Sequence, residues 1–228
     1  MMKAIVLNIF ITCFIVQAAH AIVLTLPQTK IIKEGKYTLT FINYDATLDP
    51  ALQQKMINTF FIVYPELAKT YNKKTAKEVT FVIDTTYKGV AGTDSGRVTI
   101  SSHWMHKHPE DLDVITHEVM HIVQDYGQSN DPGWLTEGIA DYARYKFGVN
   151  NTAAKWSLPN YKAGQSYTNA YRITARFLLW AEEKVKPGLV KELNNQLRKH
   201  TYTDNTWQQQ TGKTFDELWK SYTENPEV

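Results

Sequence analysis

The sequence predicts an α+β domain in which a twisted sheet is packed on one side by helices. Three observations carry that expectation. Strand-type segments cluster in the first half of the chain, helical periodicity dominates the second, and no repeat, low-complexity tract or Pro/Ser-rich linker divides them. A length of 228 residues favours one domain with a sizeable core over two large ones. A hydrophobic fraction of 43% and a charged fraction of 21% are those of a globular chain, neither disordered nor fibrous.

The chain opens with MMKAIVLNIFITCFIVQAAHA, in which one lysine is followed by a long apolar run and then by Ala19-His20-Ala21, the small-x-small pattern at which secretory signals are cut. This predicts a cleaved signal peptide over residues 1–21, a single mature domain over 22–228 and a secreted or periplasmic location. The apolar run is shorter than the roughly 20 residues a membrane span needs. Cys13, the only cysteine, falls in that segment, so the mature chain would form no disulfide and would draw its stability from the core and from any bound metal. A net charge of +2 gives no concentrated basic surface for nucleic acid. A monomer acting on a peptide or protein is expected.

Three segments, 36–42, 78–83 and 97–101, are alternating or β-branched and are bounded by Gly, Asp or Asn, which reads as three strands. Between the first two, Leu52, Met56, Phe60, Val63 and Leu67 recur at helical spacing behind Asp45 and Asp49, predicting a helix over 50–72 that Pro65 should kink or end. Helices are then predicted over 109–126, 135–147, 170–185, 189–200 and 215–222. His103, His106 and His108 fall just before the helix over 109–126 and read as loop residues.

The helix over 109–126 carries the chemistry. Leu112, Ile115, Val119, Ile122 and Tyr126 form its apolar stripe, with Pro109 suited to the first helical position and Glu110 and Asp111 to the positive end of the dipole. Within it, "THEVMH" places His117 and His121 four apart, hence on one face and about 6 Å apart along the axis, as two ligands of one small cation require. Glu118 stands beside that face, where a general base belongs.

A catalytic zinc takes three protein ligands and leaves a fourth position for water. Downstream, "WLTEGIADYARY" offers Glu137, which can complete a His-His-Glu set, and one turn later Asp141, which can accept the spare ring N–H of a ligand histidine. The turn-forming residues 128–133 allow this second helix to return antiparallel. The extended motif His-Glu-x-x-His-x-x-Gly-x-x-His fails, because Gln124 and Gly127 hold its later positions. Gly138 costs helix stability and suggests a close approach of another helix near the metal.

"HEVMHIVQDYG", "WLTEGIADYARY", "YRITARFLLW" and "GKTFDELWKSY" together resemble, in order and spacing, the four blocks of the basic secretory protein family of zinc peptidases. The resemblance implies a zincin-like fold with a mixed sheet packed on the active-site helix, one Zn2+ held by His117, His121 and Glu137, Glu118 as the catalytic glutamate, and Asp141 as the family's aspartate. The chain departs from it in being barely basic and in carrying Ala170 where glycine is expected.

A metal-activated water would then hydrolyse a peptide bond, with Glu118 moving the proton. Tyr171, with Tyr167 behind it, is the candidate second donor to the developing oxyanion, the alternative being a core aromatic. The strand over 97–101, read as an edge strand, would pair with an extended substrate through Arg97, Val98, Thr99 and Ile100. Trp134 would wall the cleft or cap the second helix. The competing expectation is a protein that kept this scaffold to bind a surface polymer or a protein partner without cutting it.

Overall fold

The computed structural model describes residues 27–127 and 132–228. The expected signal segment with Cys13, and residues 128–131 of the predicted turn, lie outside the described residues. Five strands form one mixed sheet in the order β1-β2-β3-β5-β4. They are β1 (Gln28–Glu34), β2 (Tyr37–Asn43), β3 (Glu78–Asp84), β4 (Ala91–Asp94) and β5 (Arg97–Ser101). β2, β3 and β5 run parallel, while β1 and β4 flank them antiparallel. This is the α+β arrangement expected from strands early and helices late.

The central strands follow from their patterning. In β2 the side chains Tyr37, Leu39, Phe41 and Asn43 are buried and alternate with half-buried neighbours, so one face points to the core. On that face lies α1 (Pro50–Thr70), whose Phe60 meets Phe81 of β3 edge-on at 5.4 Å. Asp49 caps α1 by accepting from the Ala51 amide, as expected of a capping residue. Asp45 instead receives the Ser102 hydroxyl, the Thr47 amide and hydroxyl and a 2.7 Å contact from His106 Nε2. Pro65 does not end α1, which runs on to Thr70. Val63, Tyr64, Leu67 and Ala68 on either side of it are all buried, and that packing outweighs the one hydrogen bond the proline removes.

After β5 the chain forms α2 (Ser102–Lys107) and then α3 (Val114–Gln124). His103 and His106 are therefore helical and not in a loop. α3 starts five residues later than the sequence suggests: of the two acidic residues expected in its first turn, Glu110 accepts from Asn150 and Asp111 is taken by Arg144, and Asp113 just before the helix is also engaged elsewhere. Asp111 pairs with Arg144 at 2.5 Å, and Asp113, fully buried, accepts from the amides of Val149 and Asn150 and from the Thr116 hydroxyl. At its other end, Asn72 Nδ2 and Thr75 Oγ1 donate to the carbonyls of Val123 and Ile122, satisfying acceptors that a helix terminus leaves open.

The second half holds α4 (Gly133–Phe147), α5 (Tyr171–Lys184), α6 (Leu189–Arg198), α7 (Thr206–Thr211) and α8 (Phe215–Glu224), with a short 3-10 turn at Tyr167–Asn169. One hydrophobic cluster runs from Tyr37 through α3 and α4 to Tyr222. α4 and α5 touch at Gly138, where an added Cβ would lie 2.3 Å from Thr174 Cγ2. The close approach expected at this glycine is thus made by α5. Among the described residues no helix is long and apolar enough to cross a membrane.

Candidate active site

α3 is buried along almost its whole length, and the side chains of His117 and His121 leave it on the same side, toward an open cleft of about 1650 Å³. Their Nε2 atoms are 3.2 Å apart. α4 returns beside α3 and brings Glu137 Oε2 to 3.1 Å from His117 Nε2 and 3.6 Å from His121 Nε2. Four ligands about 2.05 Å from a tetrahedral centre would be about 3.3 Å from one another. The three observed separations bracket that value, so His117, His121 and Glu137 could hold a metal ion such as zinc.

Both imidazoles are held from behind. His117 Nδ1 lies 2.7 Å from Asp141 Oδ1, and His121 Nδ1 lies 2.7 Å from Gln124 Oε1. Gln124 in turn donates through Nε2 to the Thr136 carbonyl at 2.9 Å, tying the end of α3 to the start of α4. The sequence shows Gln124 only as the residue that breaks an extended motif; its position three after His121, one helical turn on, was the available signal. With each Nδ1 held by an acceptor, each ring is oriented with Nε2 toward the cleft.

Glu118 is buried, and its Oε2 accepts from Thr93 Oγ1 at 2.7 Å. The same hydroxyl lies 3.0 Å from the Glu118 carbonyl, so Thr93 of β4 fixes both the helix and the carboxylate. Nothing in the sequence near Glu118 signals this contact, which spans 25 positions. Three carboxylates thus surround two imidazoles, an excess of negative charge that favours a bound cation. Burial opposes protonation of His117, but hydrogen bonds to Asp141 and Glu137 and the charges of Asp141 and Glu118 outweigh it and raise its pKa to about 10. Burial likewise opposes ionisation of Glu137, yet hydrogen bonds from His117 and His121 bring it down to about 2.

A sequence model of a peptidase family of plants and bacteria, BSP, matches residues 30–222. The chain belongs to this family. The match covers all of the sheet but the first two residues of β1, both site helices, and α5 to α8 short of its last two residues. No curated protein matches it. Among solved structures, a point mutant of the M1 zinc metallopeptidase from Deinococcus radiodurans is similar at 13% identity and a TM-score of 0.48, covering 89% of this chain and 52% of that one. The mutant with a bound Tyr-ser-ala substrate gives 15%, 0.49, 89% and 52%. The BSP chain spans about half the length of these proteins.

The remaining expected residues of the BSP chain divide. Tyr171 stands at the start of α5 with its ring stacked 6.1 Å from that of His117 and 53% exposed, which excludes the core-aromatic alternative. The negative charge of Glu137, then partial burial, then Asp141 and Glu118 raise its pKa. Ala170 before it has φ 60° and ψ −168°, and Tyr171 itself φ 48°, conformations that suit glycine better. Tyr167 packs against Trp134 and Phe215 and is structural.

Two expectations are corrected. β5 is not an edge strand: it is paired with β3 on one side and β4 on the other, and Val98 and Ile100 are fully buried. Arg97, Val98, Thr99 and Ile100 therefore have no free main-chain edge for a substrate. The edge is β4. The Val90 carbonyl accepts from Ser101 of β5, so alternation turns the main-chain groups of Ala91 and Thr93 outward, into the cleft. Trp134 packs on Tyr167 at 4.9 Å and Phe215 at 5.2 Å, and is not part of the described cleft lining.

Proposed function

We propose that this chain is a secreted, monomeric, single-domain zinc peptidase. The observation that carries the reading is the convergence of His117, His121 and Glu137, with each ring fixed from behind, next to the carboxylate of Glu118 in one open cleft. The donor set suits zinc: two neutral imidazole nitrogens and a carboxylate oxygen. Zinc held there would lower the pKa of a coordinated water towards about 7 and polarise a peptide carbonyl.

The chain's own residues would do the rest. Glu118, oriented by Thr93, accepts the proton of the attacking water and passes it to the leaving amine. Tyr171, kept in its protonated form by the surrounding carboxylates, donates to the developing oxyanion. The outward main-chain groups of Ala91 and Thr93 pair with an extended peptide, which selects for backbone without demanding a particular sequence. The Ala91 carbonyl already accepts from the Tyr87 hydroxyl at 3.1 Å, so a substrate would exchange that bond for its own. Secretion rests on the N-terminal 21 residues and on the resemblance to the basic secretory proteins.

The test is zinc content together with hydrolysis of an unbiased peptide mixture, for the parent and for Glu118→Gln. Zinc near one per chain in both, with cleavage by the parent alone, is expected. Stoichiometric zinc and no cleavage by either would refute the peptidase reading and favour a scaffold that binds its partner uncut.

A further inference from the structure

Arg144 lies three residues beyond Asp141 and seven beyond Glu137, on the same stripe of α4, roughly 10 Å along the helix from the metal ligand. It is 5% exposed. Its guanidinium is held on three sides. Nη2 donates to Asp111 Oδ1 at 2.5 Å, Nε donates to Asn151 Oδ1 at 3.2 Å, and the plane sits 4.3 Å from the ring centre of Trp156. Nη1 has no partner among the described residues. Nor is it among their buried polar atoms that lack one, so it keeps access to solvent, and Arg144 lines the cleft. A nearly buried guanidinium that lines the cleft and keeps one unpaired terminal nitrogen is a donor waiting for an acceptor.

Its surroundings define what that acceptor belongs to. Asp111 bridges two groups, taking Arg144 on Oδ1 and the indole N–H of Trp104 on Oδ2 at 2.9 Å. Both carboxylate oxygens of Asp111 are thereby used, and Trp104, Trp156 and the apolar Val114 line the cleft beside Arg144, with His108 tilted against Trp104 at 4.1 Å between ring centres. Arg144 is already neutralised by Asp111, and Asp141 and Glu137 lie on its own helix face. A second carboxylate would be repelled there, whereas a neutral carbonyl oxygen would not. Ten ångströms is about three residues of extended chain.

The geometry points to Trp104, Asp111, Arg144 and Trp156 as a substrate subsite within three residues of the scissile bond. It takes a large apolar or aromatic side chain against Trp104 and Trp156, while Arg144 Nη1 donates to a main-chain carbonyl beside it. This rests on the peptide-cleaving reading of the same cleft. It adds a preference at one position to a site whose edge-strand pairing is indifferent to sequence. The partners of Arg144 are themselves fixed, so the donor is preorganised and little ordering accompanies binding.

Binding to the zinc-loaded Glu118→Gln protein tests this without relying on turnover. Amidated six-residue peptides, varied one position at a time among Phe, Leu, Ala and Asp, are titrated by fluorescence anisotropy. Phe and Leu at one position should bind about 10-fold more tightly than Ala, and Asp least well. Trp156→Ala should shrink the Phe-to-Ala ratio to about 2 with zinc content unchanged, and Trp156→Phe should restore it. Arg144→Lys should weaken all peptides about 10-fold and keep the ratio. A residue that only braced the fold would move the melting temperature and leave the ratio alone. A ratio unchanged in Trp156→Ala, or binding that requires a free carboxylate, overturns the assignment. Should Arg144→Lys fail to fold, the Trp156 pair still decides. Cleavage by the parent with no preference at any position would sink the subsite and leave the peptidase standing; selective binding without cleavage would do the reverse.

Discussion

Replacing Gly138 by alanine should destabilise the protein, although in an exposed helix the same change would stabilise it by about 1 kcal/mol. The reason lies in the contact between α4 and α5. A Cβ at position 138 would stand 2.3 Å from Thr174 Cγ2 and 2.7 Å from Thr174 Cβ, against an ordinary carbon–carbon contact of about 3.5–4.0 Å. Thr174 is fully buried and its hydroxyl donates to the Tyr167 carbonyl at 2.5 Å, so its side chain is not free to rotate away. The overlap is relieved by α5 moving outward by about 1 Å, and overpacking of this kind costs about 1–3 kcal/mol. Because α5 starts at Tyr171, the displacement should also reach the ring stacked on His117. Urea unfolding of the metal-free protein is the assay. The midpoint should fall, with a loss of about 1–2 kcal/mol and roughly 2–8 °C in melting temperature for a chain of this size. The double change Gly138→Ala with Thr174→Ala should recover only part of it, since the 2.7 Å contact to Cβ remains. A single variant as stable as the parent would refute the argument.

Three further outcomes can be measured directly. Asp141→Asn keeps the shape of the residue but removes the charge that holds His117 Nδ1, and should weaken zinc binding about 10–100-fold in competition with a chelator. Thr93→Val should leave zinc content intact while peptide hydrolysis falls about 10-fold, because Glu118 loses the donor that orients it; zinc loss in parallel would show that Thr93 supports the helix instead. Burial raises the Asp45 carboxyl, but the bonds from Ser102, Thr47 and His106 outweigh it and hold it well below the usual carboxylate range. Such a group stabilises the fold above its unfolded value near 3.8, and that contribution is lost as pH falls below it toward the folded value. Asp45→Asn should therefore be less stable by about 1–3 kcal/mol at pH 7, with a shallower decline between pH 5 and pH 2 in denaturant titrations.

The legible parts of this protein are those set by short-range periodicity. β2, β3 and α1 carry alternation or helical spacing that their burial repays, and the pairs His117/His121 and Glu137/Asp141 are each one helical turn apart, so two local patterns suffice to assemble them. β1 is not legible because it is an exposed edge, with Ile31 71% exposed and no buried face to pattern its sequence. β4 is not legible because its four residues, Ala91 to Asp94, are too few and too polar to announce a strand. Without a sequence signal for β4, β5 reads as an edge strand, which the pairing of β4 with β5 excludes.

The same division runs through the site. What a metal needs is local: two rings on one helix and a carboxylate on the next, each held by a neighbour within a turn or across one helix pair. What a substrate needs is not. The open edge at Ala91 and Thr93, the hydroxyl on Glu118, and the corner built from Trp104, Asp111, Arg144 and Trp156 are brought together by the sheet order and by the path of residues 148–156, and no spacing in the chain encodes them. Loss of a ligand should therefore remove zinc and activity together. Changes at Trp156 should alter which bond is cut at unchanged zinc content, because Trp156 packs on Arg144, seven residues along α4 from Glu137. A shift in cleavage position at constant zinc content is the behaviour expected of a site whose chemistry and selectivity are carried by separate parts of the fold.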